Sequence, residues 1–144
     1  MNEKFDLQNF LPFRLNRLAS EMSAGLSSVY RERFGIEIIE WRVIATLAHE
    51  GETTAQAIVA STRTHKSTIS RAVTKLIGMG WVARSTSSLD GREKSLTLTS
   101  LGNKRMDEIL PLVKAYERDV FKALGANSDG CLKTIGLLEQ IVLR

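Results

Sequence analysis

Ten consecutive residues, Lys66 to Lys75 in KSTISRAVTK, carry hydroxyls and cations and no carboxylate. At helical spacing Lys66, Ser67, Ser70, Arg71, Thr74 and Lys75 form an outward face, opposite Ile69, Val73, Leu76 and Ile77. Such a face is a set of positively charged hydrogen-bond donors, and its counterpart is a phosphate backbone with base edges beside it. A helix whose outer face meets only water usually mixes acids with bases. Arg63, Thr64 and His65 lead into this segment, and His65 is placed to meet a phosphate.

A second group lies in RSTSSLDGREKSLTLT, residues 84–99. Asp90-Gly91 is a turn signal, because both residues tolerate positive φ. Arg92 therefore sits on a hairpin tip, with Asp90 expected to hold that tip by pairing with Arg84 or a backbone amide. A tip arginine beside the cationic helix is a probe for the minor groove, where the potential is most negative. The alternative is a solvated loop charge.

The elements that must position these groups are mostly helical. Leu11, Leu15, Leu18, Met22 and Val29 mark an amphipathic helix over about residues 8–34, stopped by Gly35. Ile39, Val43, Ile44 and Leu47 mark a second, ended by Gly51. Thr54 is a cap for a short helix, AQAIVAS, and Thr64 for the cationic helix, which Gly78 and Gly80 close. WVARS and KSLTL alternate as two strands around residues 86–93. Thr99 then caps a helix running to Leu124, which Pro111 should bend. A last helix starts near Ser128, with Cys131, Ile135, Leu138 and Val142 on one stripe. Helix, helix, hairpin in that order is a winged helix-turn-helix. The fold class expected is mainly α with a small β-hairpin wing.

Charge is distributed in keeping with that reading. The 144 residues carry a net charge of +4, yet the segment from Thr53 to Arg105 holds nine Lys/Arg against two acids, and the rest of the chain is net acidic. A basic module between acidic flanks suits a nucleic acid, with a solvated basic face as the alternative. Hydrophobic residues at 43% and charged residues at 25% are values of a folded globular chain, so disorder is excluded as the ground state. The single cysteine, Cys131, rules out an intrachain disulfide and fits a reducing cytosol. MNEKFDLQNF lacks the apolar core of a leader, and the run from Leu76 to Ala83 is too short to span a bilayer. A cytoplasmic protein without a membrane partner is the expectation.

Catalytic signatures are missing. The chain has no G-x-S-x-G, no phosphate-binding glycine loop and no C-x-x-C. His49-Glu50 begins an H-E-x-x-H, but position 53 is threonine. No enzyme activity, metal or cofactor is expected.

The stretch STISRAVTKLIGMGWVARSTSSLDGREKSLTLTSLG resembles the winged-helix core of the MarR family of bacterial transcription regulators. The matching pieces are Ser70-Arg71 with Leu76, Gly80, Val82 and Arg84, then Asp90-x-Arg92 in the wing and Leu98-Thr99-x-x-Gly102 opening the next helix. EWRVIATLAHEG, residues 40–51, is similar to the family's second helix. One departure is Gly91, where an arginine is common. The resemblance implies residues 1–35 and 100–144 as dimerisation helices around a DNA-binding module at 36–99, in one intertwined domain. It also implies a homodimer on a double-stranded, pseudo-palindromic operator, usually as a repressor. The stripes 11/15/18/22 and 131/135/138/142 agree, since burying them calls for a partner layer, packing within the subunit being the alternative. Two-fold symmetry then sets the two recognition helices about 34 Å apart.

Regulators of this family commonly respond to small phenolic or aromatic acids, so the resemblance also implies an effector site. Its candidate wall is Phe10, Phe13, Arg14, Arg17, Trp41, Ile44 and Tyr116. Arg14, in LPFRLNRLA, is the candidate fork for a carboxylate, with an ion pair to a nearby acid as the alternative. Phe13 and Trp41 have a core role as theirs. Two other readings stand beside this one: a thiol redox switch through Cys131, and a helical interaction module without DNA affinity.

Overall fold

The computed structural model describes residues 3–85 and 94–143. Leu7–Asn9 forms a 3-10 turn that leads through Phe10 into helix α1, Leu11–Phe34. Pro12 stands in its first turn, where the missing N–H has no helical partner to lose. The expected single helix over 8–34 is thus a turn followed by a helix. Gly35 ends α1 at φ 71°, its N–H donating to the Arg31 carbonyl. Helix α2, Ile38–Glu50, opens with a capping box: the Glu37 side chain accepts from the backbone three residues on, and Glu40 Oε1 accepts from Glu37 N at 3.1 Å.

Strand β1, Thr53–Thr54, leads directly into α3, Ala55–Thr62, where Thr54 accepts from Ala57 N at 3.1 Å as expected of a cap. Helix α4 spans Lys66–Gly78. Its cap is His65 rather than Thr64. The imidazole Nδ1 accepts from Ser67 N at 3.2 Å, while the Thr64 hydroxyl turns back to the Thr62 carbonyl. The cause is the turn itself, in which Arg63 adopts a left-handed conformation at φ 53° and delays the helix by one residue.

Strands β2, Val82–Ser85, and β3, Ser95–Leu98, pair antiparallel with Val82 opposite Leu98 and Arg84 opposite Leu96. Each is one residue shorter than the alternation suggested. β1 adds to the other edge of β3, giving the order β1-β3-β2. The tip of the hairpin, with Asp90 and Arg92, lies outside the described residues. Helix α5, Ser100–Leu124, continues across Pro111 as one helix. A 3-10 turn, Gly125–Asn127, joins it to α6, Ser128–Val142.

The core gathers Tyr30 and Phe34 from α1, Val43, Ile44 and Leu47 from α2, Ile58 from α3, and Ile69, Val73 and Leu76 from α4. Trp81, Val82 and Leu96 close it from the sheet, and Met106, Ile109 and Val113 from α5. Each enclosed aliphatic side chain contributes about 1.5–3 kcal/mol. The inner face of α4 is therefore clamped, which leaves its outer face fixed in direction. The terminal stripes behave otherwise: Leu11, Leu15, Leu18, Met22, Ile135 and Val142 are exposed in the single chain.

Candidate nucleic-acid interface

The hydrophobic stripe Ile69, Ala72, Val73 and Leu76 anchors α4, so 3.6-residue periodicity carries Ser67, Ser70, Arg71 and Thr74 to the opposite, exposed side. These four come together as expected. Thr74 spends its hydroxyl proton on the Ser70 carbonyl at 3.0 Å. Ser67 is held by its contact with His65 Nδ1 at 2.8 Å, so the cap also orients the first hydroxyl of the face. Arg63 and His65 are exposed at the turn leading into α4, and Thr64 is half-buried.

Lys75 does not join them. Its Nζ donates to Glu40 Oε1 at 2.7 Å, and that carboxylate is almost wholly buried. The lysine runs along the flank of α4 toward the start of α2.

Beside Lys66 and Ser70 a hollow of about 610 Å³ opens between α3, α4 and the sheet. Val59, Val73 and Leu96 help to floor it, and Lys66, Arg84 and Lys94 bring three cations to its rim with no acid among its described lining residues. Gln56 adds an amide. A rim of this kind suits a phosphate strand running between helix and wing. Lys94 and Gln56 were not singled out from the sequence. Lys94 was legible only as one of nine charges in the basic segment, and no pattern marked Gln56.

The residues expected to wall an effector site separate into three places. Phe10 packs edge-on against Phe5 with ring centroids 5.2 Å apart, at the exposed chain start. Arg17 lies over the Phe13 ring at 5.2 Å and donates to Gln8 Oε1 at 2.8 Å, while Arg14 is exposed nearby. Ile44 is fully enclosed in the core and lines neither cavity. Only Trp41 and Tyr116 reach a common cleft. It measures about 620 Å³, lies between α1, α2, α5 and α6, and is lined mainly by Leu18, Met22, Leu26, Val113, Phe121 and Leu132. Cys131, half-buried, is on its wall.

The polar residues on the wall of the cleft include Ser23, Lys114, Tyr116 and Glu117. The Tyr116 hydroxyl donates weakly, at 3.4 Å, to the Met22 carbonyl. It can sit over α1 because residue 25 is glycine, where a Cβ would lie 2.5 Å from the phenol oxygen. Arg42 donates to Ser23 Oγ at 3.3 Å, and Ser23 is a wall residue. Behind Trp41 the Tyr30 ring stacks at 5.7 Å with an interplanar angle of 22°. Burial pushes the Tyr30 phenol up to about 12, against the opposing pull of Arg42 and Arg31. No helix among the described residues is long and apolar enough to cross a membrane.

The MarR family model matches residues 34–93, from the last residue of α1 to a point short of β3. No curated protein matches the sequence. A MarR family transcriptional regulator from Silicibacter pomeroyi DSS is 28% identical, covers 94% of this chain and 89% of its own, and superposes with a TM-score of 0.80. A MarR/EmrR family regulator from Acinetobacter sp. ADP1 is 23% identical, with 96% and 98% covered and a TM-score of 0.85. Bordetella bronchiseptica BpsR, whose structure addresses regulation of its DNA binding by 6-hydroxynicotinic acid, is 18% identical, with 99% of each chain covered and a TM-score of 0.83. The resemblance to MarR family regulators and the winged-helix fold read from the sequence are both borne out.

Proposed function

Starting from the MarR family match over residues 34–93, we propose that this chain is a homodimeric DNA-binding transcription regulator that a small aromatic acid releases from its operator. It is a binding protein rather than an enzyme. The observation that carries the reading is the acid-free outer face of α4, continuous with the cationic hollow at Lys66, Arg84 and Lys94. Ser67, Ser70 and Arg71 serve the major groove, and Arg63, His65, Lys66, Arg84 and Lys94 serve phosphates. Asp90 and Arg92, outside the described residues, are proposed for the minor groove on the sequence alone. The exposed stripes of α1 and α6 supply the dimer layer, and the protein works in the cytoplasm.

The effector site is the cleft of α1, α2, α5 and α6. Its volume falls in the range of small-molecule sites, and its apolar walls with a phenol at Tyr116 suit an aromatic ring. Arg42, tied to the wall through Ser23, replaces Arg14 as the fork for a carboxylate. The BpsR response to 6-hydroxynicotinic acid supports the same ligand class by fold analogy.

The test is selection of a duplex from a random-sequence pool, followed by a salt titration of its affinity. Binding should fall steeply with salt, and Arg71→Ala should cost about 1–3 kcal/mol and relax preference at one base position. No selected sequence, or an Arg71→Ala protein that binds like the parent, refutes the placement of α4.

A further inference from the structure

Glu40 is a carboxylate 6% exposed, and its Oε1 accepts from two elements at once. The Glu37 amide, at 3.1 Å, belongs to the start of α2. The Lys75 ammonium, at 2.7 Å, belongs to the last turn of α4. One oxygen thus joins the first turn of α2 to the recognition helix. The rest of the α2–α4 contact is apolar, built from such residues as Val43, Ile44, Ile69 and Leu76. Apolar packing is not directional and permits small sliding movements, whereas a buried charged hydrogen bond fixes one register. Lys75 is thereby engaged within the fold, although it stands on the same helix as Lys66 and Arg71.

What lies on the other side of Glu40 gives the pair a use. The next residue, Trp41, is on the wall of the cleft and stacks on Tyr30. Glu40 and Trp41 are consecutive, so the wall of the cleft and the carboxylate that holds α4 share the start of α2.

We propose that the Glu40–Lys75 ion pair is the strut by which occupation of the cleft sets the position of the recognition helix, so that both residues govern the response to effector without touching effector or DNA. The inference rests on the function proposed above and names the regulation of that same site. The ligand shifts α2, the directional pair carries the shift to α4, and the two recognition helices of the dimer leave the spacing the operator requires.

The test is a double-mutant cycle on the full-length protein with Lys75→Met, Glu40→Gln and the double variant. Glutamine at 40 still accepts from the Glu37 amide, so the start of α2 is retained. The double variant leaves no buried charge unpaired, so it remains informative if Lys75→Met alone fails to fold. The probe is 4-hydroxybenzoate, with its binding read from tryptophan fluorescence and the selected duplex as DNA. In the parent, saturating probe should weaken DNA binding about tenfold or more, in the usual range of allosteric coupling. In Lys75→Met and the double variant that factor should fall to within about twofold of unity, with probe affinity and salt slope as in the parent. Full release by the probe in the double variant overturns the strut. So does a salt slope lowered by about one in Lys75→Met, which makes the lysine a phosphate contact. A parent that binds the duplex but ignores 4-hydroxybenzoate and its relatives instead brings down the proposed effector reading, and the strut with it.

Discussion

Replacing Gly102 by alanine sets a methyl against an atom that has no room to move. The added Cβ would lie 2.0 Å from the Trp81 carbonyl oxygen and 3.2 Å from Leu98 Cδ2. That oxygen is backbone, and it is pinned by the Thr99 N–H at 3.0 Å. Thr99 in turn accepts from Gly102 N at 3.0 Å as the cap of α5. No rotamer relieves the contact, so β2 and the start of α5 must part. The Trp81–Thr99 bond is worth about 1 kcal/mol, the cap about 1 kcal/mol, and the residual strain about 1–3 kcal/mol. Alanine returns about 1 kcal/mol of helix propensity. The balance is a loss of about 2–4 kcal/mol, or a fall in melting temperature of roughly 8–16 °C at ~4 °C per kcal/mol. Thermal unfolding at one protein concentration measures it, because mass action makes the melting of a dimer concentration-dependent. Gly78→Ala is the control, since a Cβ there meets nothing within 4 Å and should leave stability unchanged or slightly raised. A Gly102→Ala protein that melts within about 2 °C of the parent refutes the reasoning.

Two other outcomes are expected. Arg63 holds a left-handed conformation that disfavours side chains, so Arg63→Gly should raise stability by up to about 1 kcal/mol while lowering the salt slope of DNA binding by about one; an unchanged slope removes Arg63 from the interface. Tyr30 is fully enclosed, its hydroxyl has no hydrogen-bond partner among the described residues, and its raised value means that the folded protein keeps a proton the unfolded chain loses. Its contribution is therefore complete below about pH 10 and drains away toward about pH 12, by about 2–3 kcal/mol in total; Tyr30→Phe should be no less stable at neutral pH and lack that alkaline loss in urea titrations, and an identical pH profile contradicts the account.

Much of the fold was legible because its signals are local and periodic. The inner stripe of α4 and the stops at Gly35 and Gly51 needed only helical spacing and the freedom of glycine at positive φ. Leu98-Thr99-x-x-Gly102 was legible as a motif before its cause was. The cause is tertiary, since Thr99 also donates to the Gly80 carbonyl and Gly102 admits the Trp81 carbonyl. β1 was illegible because two residues carry no period, and it exists only by pairing with β3, about forty residues along the chain. The cap of α4 moved from Thr64 to His65 for a similar reason. Either side chain could cap, and the backbone at Arg63 decided.

The site divides along the same line. A helical wheel places Ser67, Ser70, Arg71 and Thr74 on one face without further information. It also places Lys75 near that face, because it cannot know that a buried carboxylate on another helix, 35 residues earlier, offers a better partner than solvent. The residues expected to wall an effector site are dispersed for a different reason. Phe10, Phe13, Arg14 and Arg17 were grouped by closeness in sequence at the start of α1, but the cleft draws on that helix only from Leu18 onward. Its first turns are mostly exposed, and the rings there pair locally, Phe10 with Phe5 and Phe13 with Arg17. A cleft needs converging elements, and from Leu18 onward α1 lines one with α2 and α5, where Trp41 and Tyr116 share a wall with Met22 and Leu26. Arg42 reaches Ser23, a wall residue of that cleft, by a contact across nineteen residues that no spacing rule anticipates. The recognition face is thus a property of one helix and can be read from one segment. The cleft, and the ion pair that joins it to α4, are properties of how helices meet, and only the packed chain displays them.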